Sequence, residues 1–161
     1  MPHSSNKTLI FSDNEVSTKG VIIYKITETD YGFHILFTGK TPIQEWEEWY
    51  SESREILAKH KGDFSVLIDM RNIVPPDNKS REVCSKGQRL YKNYGMARSV
   101  VIFNSPVITQ QFKQIAHETG IYKYERYIDS SHVSNWETIA MDWLIKSIDP
   151  DKKPFERSEY L

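Results

Sequence analysis

The chain has almost nothing in excess, and each shortage excludes something. Among its 161 residues there is one cysteine, Cys84. That excludes an intramolecular disulfide framework and suits a reducing compartment. Charge is balanced, with 21 Lys and Arg against 22 Asp and Glu, a net of −1. The basic excess of a dedicated nucleic-acid binder is missing, and so is the basic amphipathic surface of a membrane-lying protein. No apolar run approaches a membrane span, and residues 1–17 hold no apolar core long enough for a signal peptide. The expectation is a cytoplasmic protein that neither inserts into a membrane nor binds nucleic acid. Motifs of chemistry are equally scarce. No Gly-x-Ser-x-Gly, P-loop or Gly-x-Gly-x-x-Gly occurs. His3, His34, His60, His117 and His132 are scattered, and no pair has zinc spacing. No enzyme activity, cofactor or metal is expected.

What remains is a chain long enough to bury a core without staples. Aromatic residues make up 12%, with four Trp and nine Tyr. Residues 1–19 are polar and aperiodic and read as a flexible arm, with Leu9-Ile10-Phe11 as a short edge strand. Residues 20–148 form a single domain, and residues 149–161 a charged, loose tail.

Val21 to Thr27 is β-branched and aromatic, hence a strand. Asp30-Tyr31-Gly32 is a turn, and Phe33 to Thr38 returns as the second arm of an antiparallel hairpin. Thr41 is expected to cap the first helix, with Pro42 at its first position, Gln44 completing a capping box and Gly62 at its end. The apolar run Phe64 to Met70 is a central strand. Ser80 to Asn93 is a helix with Val83, Cys84, Gly87, Leu90, Tyr91 and Tyr94 inward, and Gly87 implies a close approach to the sheet. Ala97 to Phe103 is a parallel strand, Ser105-Pro106 opens a third helix, and Gly120 ends it. Tyr124 to Asp129 is an edge strand with mixed faces, and a last helix runs from Val133 to Ile148 before Pro150. The order β-β-α-β-α-β-α-β-α implies an α/β fold: a mixed, mainly parallel five-stranded sheet with four helices.

Two groups of residues are candidate sites. The first is the loop after the central strand: Asp69, Arg71, Asp77, Lys79, Ser80 and Arg81. An aspartate ending a central parallel strand sits where such sheets place ligand-facing groups. Its bland reading is a bond to the following backbone N–H groups. Ser80 reads first as an N-cap, and second as a phosphorylation site beside Lys79 and Arg81. The other group is Trp46, Trp49 and Tyr50, which span too wide an arc for all to face inward. One of these rings is expected to be partly exposed, which makes the first helix a candidate interface. Cys84, on an apolar helix face, reads as a buried, inert thiol.

The element order, with Val66-Leu67-Ile68-Asp69-Met70, the turn to Ser80, Tyr94 to Ile102, and Glu125 to Asp129 leading to Trp136–Leu144, resembles the STAS fold of anti-sigma-factor antagonists and the broader SpoIIAA-like group. The resemblance spans residues 21–148. It implies a non-enzymatic regulatory domain that binds a protein partner or a second copy of itself as a homodimer. It also implies a serine switch in an Asp-Ser-Ser-Gly-like turn. Read without gaps, Asp77 takes the aspartate position, Lys79 the phosphorylated position and Ser80 the glycine, so that switch is broken here. The related CRAL-TRIO lipid carriers give the alternative: a protein for a small apolar ligand or lipid.

Overall fold

The computed structural model describes residues 23–152. The expected strand at Leu9-Ile10-Phe11, the N-terminal arm, Val21, Ile22 and residues 153–161 lie outside them. Strand β1 (Tyr24–Glu28) turns through Thr29–Tyr31 into β2 (Gly32–Gly39), and the two pair antiparallel as a hairpin. Then follow helix α1 (Ile43–Lys59), strand β3 (Phe64–Ile73), helix α2 (Asn78–Asn93), strand β4 (Met96–Phe103) and helix α3 (Pro106–Thr119). A short 3₁₀ turn (Ile121–Lys123), strand β5 (Glu125–Asp129) and helix α4 (Trp136–Lys146) complete the order. The sheet runs β1-β2-β3-β4-β5, with β2 to β5 parallel. This is the mainly parallel, five-stranded, four-helix fold that the sequence implies.

The position of the helices follows from that order. Parallel crossovers share one hand. Three of them, all stepping the same way across the sheet, therefore lay α1, α2 and α3 on a single face. Phe33, Ile35, Phe37 and Val66 face this side and pack with Trp46, Trp49 and Leu57 of α1 and Tyr91 of α2. Val101, Phe103 and Tyr127 pack there with Ala116 of α3. Among the described residues only α4, which follows the last strand, is a helix on the other face, where Ala140, Trp143 and Leu144 meet Leu67, Val100, Ile102 and Ile128. Arg98 fastens it by donating to the Trp143 and Leu144 carbonyls at 2.8 Å each, a cation at a helix C-terminus. The Trp143 indole N–H donates back to the Ser99 carbonyl at 2.9 Å.

Local details correct several expectations. Pro42, in extended backbone, holds the N-cap position of α1 without a side-chain cap, and the Thr41 hydroxyl instead lies 3.5 Å from the Thr38 carbonyl. Asp77, not Ser80, caps α2 by accepting from the Ser80 N–H at 2.9 Å. The capping bond and the Ser80 hydrogen bond hold the Asp77 carboxyl below its usual range. α4 stops at Ser147 in left-handed backbone, short of Pro150, and leaves Ile148 half in solvent; Tyr94, expected inward on the second helix, caps the end of α2 and is half in solvent too. β5 is an edge strand as expected, yet all five of its residues are buried. Part of the cover comes from residues expected to be loose. Asp149 takes a two-pronged bond from Arg126 at 2.9 and 3.1 Å, and Asp151 holds Lys113 at 3.0 Å and the Tyr122 hydroxyl. Arg126 is itself sandwiched between the Tyr122 and Trp143 rings.

Gly87 marks a close approach, but to α1 rather than to the sheet. A Cβ there would stand 2.1 Å from the end of the Trp49 ring. That ring also stacks on Tyr91, with centroids 6.0 Å apart and planes 10° apart. Alanine at 87 would gain about 1 kcal/mol of helix propensity. Overpacking outweighs it, so Gly87→Ala is expected to lower unfolding free energy by about 1–3 kcal/mol in urea melts. Adding Trp49→Phe, which shortens the opposing ring, should return part of that loss; a strictly additive pair would contradict the assigned contact.

Candidate functional site

The loop at the end of β3 is closed on itself. Asp69 is 5% exposed and accepts three bonds from Arg71: its backbone N–H at 3.1 Å, Nε at 3.0 Å and Nη2 at 2.9 Å. The Arg71 guanidinium then lies over Trp136, 4.5 Å from the ring centroid. Both oxygens of the Asp69 carboxylate are thus engaged by Arg71 from within the chain. Asp77 is spent on its cap, Lys79 is exposed, and Ser80 is 2% exposed in the first turn of α2. Of the six loop candidates, Arg81 borders the cavity described next. Trp46 and Trp49 are 1% and 6% exposed, which corrects their reading as an interface. Trp46 stacks on Phe37 at 4.3 Å and Trp49 meets the Gly87 gap, so the wide arc is absorbed by core on both sides. Tyr50 is the half-buried ring of the three, with Lys86 over its face.

The opening lies beneath α2 and α3, on the three-helix face. It is a cavity of about 150 Å³. Ile68, Met70, Val101 and Tyr127 form its floor on β3, β4 and β5, while Trp46 and Trp49 close one end. Cys84 and Gln88 of α2 face Phe112 and Ala116 of α3 across it. A dry apolar space of this size holds a molecule as large as benzene. Its rim includes Pro76, Arg81 and Ile115.

One group in this apolar lining is out of place. Glu125, the first residue of β5, is 0% exposed. The β4–β5 register sets it beside Ser99, whose hydroxyl donates to Oε2 at 2.6 Å. Two residues along, on the same face, the Tyr127 hydroxyl donates to Oε1 at 2.6 Å, and Gln88 Nε2 reaches down from α2 to the same oxygen at 2.7 Å. Burial pushes the Glu125 carboxyl above its usual range, and the three donors work against that rise. The indole N–H groups of Trp46 and Trp49 are also buried; that of Trp46 has no hydrogen-bond partner among the described residues, while that of Trp49 lies against the Tyr91 hydroxyl. Nothing in the sequence marks Glu125. Its importance comes from a strand register and from partners 26 and 37 residues away.

Cys84 borders the same space. Burial pushes its thiol up to about 12. Among the described residues no group of His, Cys, Asp and Glu is arranged to hold a metal ion. The cavity thus combines an apolar hollow with one acidic acceptor and one unpaired indole donor, that of Trp46.

No family model matches the chain, and no curated protein does. Among solved structures, an uncharacterised protein of the DUF3478 family from Shewanella loihica PV-4, described as having a SpoIIAA-like fold, matches at a TM-score of 0.54. The identity is 15%, over 75% of this chain and 91% of that one. The fold is SpoIIAA-like.

The raised Cys84 pKa has a direct consequence. A thiol at about 12 is neutral at pH 8, with roughly a thousandth of the thiolate of an ordinary cysteine. Labelling by a disulfide reagent at that pH should run at least about a hundredfold slower in native protein than in urea-unfolded protein. Equal rates would show that the thiol is open to solvent.

Proposed function

We propose that this protein is a non-enzymatic binding domain for a small, mostly apolar molecule, held in the cavity between α2, α3 and the sheet. The observation that carries the reading is the cavity itself, an apolar space of about 150 Å³ that the surrounding side chains leave unfilled. Protein cores are close-packed, and a hollow of this size forfeits contacts on all its walls. Ligand sites combine such apolar walls with a few placed polar groups. Glu125 and the unpaired indole N–H of Trp46 fit that description.

The reading keeps the regulatory character that a SpoIIAA-like fold suggests and replaces its trigger. Lys79 occupies the position of the switch serine, and the hydroxyl of Ser80 is shut away at 2% exposure. A kinase would have to unwind the first turn of α2 to reach it. Occupancy of the cavity is the available signal instead. It acts on α2 and α3, the two helices that flank it. A protein partner or second copy would then read the position of those helices, in a soluble, cytoplasmic setting.

Trp46 and Trp49 line the cavity and report on it. Toluene is expected to shift their fluorescence saturably. Ala116, 1% exposed on the opposite wall, is the place to fill the space. Ala116→Leu should weaken toluene binding by about tenfold or more, with the far-ultraviolet circular dichroism unchanged. A linear, non-saturating response in the unaltered protein would rule the cavity out as a binding site.

A further inference from the structure

We infer that the molecule bound in this cavity is a small organic cation, an ammonium group on an apolar body, whose N–H donates to Glu125. The inference rests on the cavity being a ligand site and specifies the charge of what enters it.

A carboxylate offers four acceptor positions. Two on Oε1 are taken by Gln88 and Tyr127, and one on Oε2 by Ser99. The remaining position on Oε2 has no partner among the described residues. All three donors are neutral: an amide, a phenol and a hydroxyl. Among the described residues no Lys, Arg or His forms an ion pair with Glu125. The titratable groups that share the cavity supply no compensating charge at its floor. Tyr127, on β5 itself, is a phenol whose pKa burial raises further, and Cys84 of α2 is a neutral thiol. Arg81 of α2 is exposed at the rim, about two helical turns from Gln88. From β4 and α3 come the neutral Val101, Phe112, Ile115, Ala116 and Thr119.

A fully buried carboxylate without a cation is expensive to keep ionised. A ligand that carries the cation removes the expense at the moment it binds. Aromatic faces add to the attraction, because their quadrupoles favour positive charge. Phe37, Trp46, Trp49, Phe112 and Tyr127 all line this space. A neutral apolar molecule fills the same volume but leaves Glu125 as it was, and an anion would be repelled by it.

Isothermal titration of the full chain near neutral pH with benzylamine, benzyl alcohol and toluene separates the cases. Benzylamine should bind at least about tenfold tighter than either neutral analogue. In Glu125→Gln, which keeps the shape and loses the charge, that preference should vanish, with toluene affinity within about threefold of the original. Should that variant fail to fold, the order of the three probes on the unaltered chain decides alone. Equal or tighter binding of a neutral analogue overturns the assignment of charge and leaves the cavity as an apolar site. An amine preference that survives in folded Glu125→Gln also overturns it, because the cation is then read elsewhere. Failure of all three probes to bind removes both this inference and the binding function beneath it.

Discussion

The contact between Gly87 and the Trp49 ring governs the three-helix face. With no side chain at 87, α2 settles against an indole, and that indole stacks on Tyr91 while Trp46 stacks on Phe37. Seven buried aromatic rings thus consolidate the α1–α2 side: Tyr24, Phe33, Phe37, Trp46, Trp49, Phe64 and Tyr91. Large, rigid rings bury much surface but pack with specific geometry. The side built from them packs ring against ring up to the cavity, whose end Trp46 and Trp49 close. The side beneath α3, with Ala116 at its centre, does not fill, and the cavity lies at the seam between the two.

Glu125 sits on that seam for a reason of register. Parallel pairing of Ser99 with Glu125 aligns a hydroxyl and a carboxyl on one face, and Tyr127 follows at the strand period of two. α2 adds Gln88 from above. The polar network therefore ties two strands and a helix through one carboxyl. Networks of this kind specify a single arrangement when they are satisfied, and they are sensitive to any group that offers a better partner.

The fold was legible in the sequence because it depends on local signals. β-branched runs announced the strands, Asp30-Tyr31-Gly32 the hairpin, and Ser105-Pro106 and Gly120 the two ends of α3, where the serine accepts from Ile108 and the glycine adopts left-handed backbone. Boundaries slipped where two residues could do the same task, as with Asp77 and Ser80 at the start of α2. The site was hidden for the opposite reason. Asp69 looked available because its place at a strand end is a topological fact, while the neighbour that closes it, Arg71, acts through a side chain whose direction a sequence does not declare. The two tryptophans of α1 looked too many for one face until Gly87 made room. Glu125 read as an ordinary residue of a mixed edge strand, since its partners meet it only after three elements have assembled.

The order of the strands carries one more consequence. Because β1 to β5 lie side by side in the sequence in which they are made, each new strand pairs with the one just before it. No strand has to wait for a partner that has yet to emerge from the ribosome, and no insertion between two strands already paired is needed. Loop closure spans a tight turn at the first step and one crossover helix at each later step, which keeps its entropic toll low. The growing sheet is left with one advancing edge during synthesis, and that edge is protected last, when Arg126 of β5 closes on Asp149.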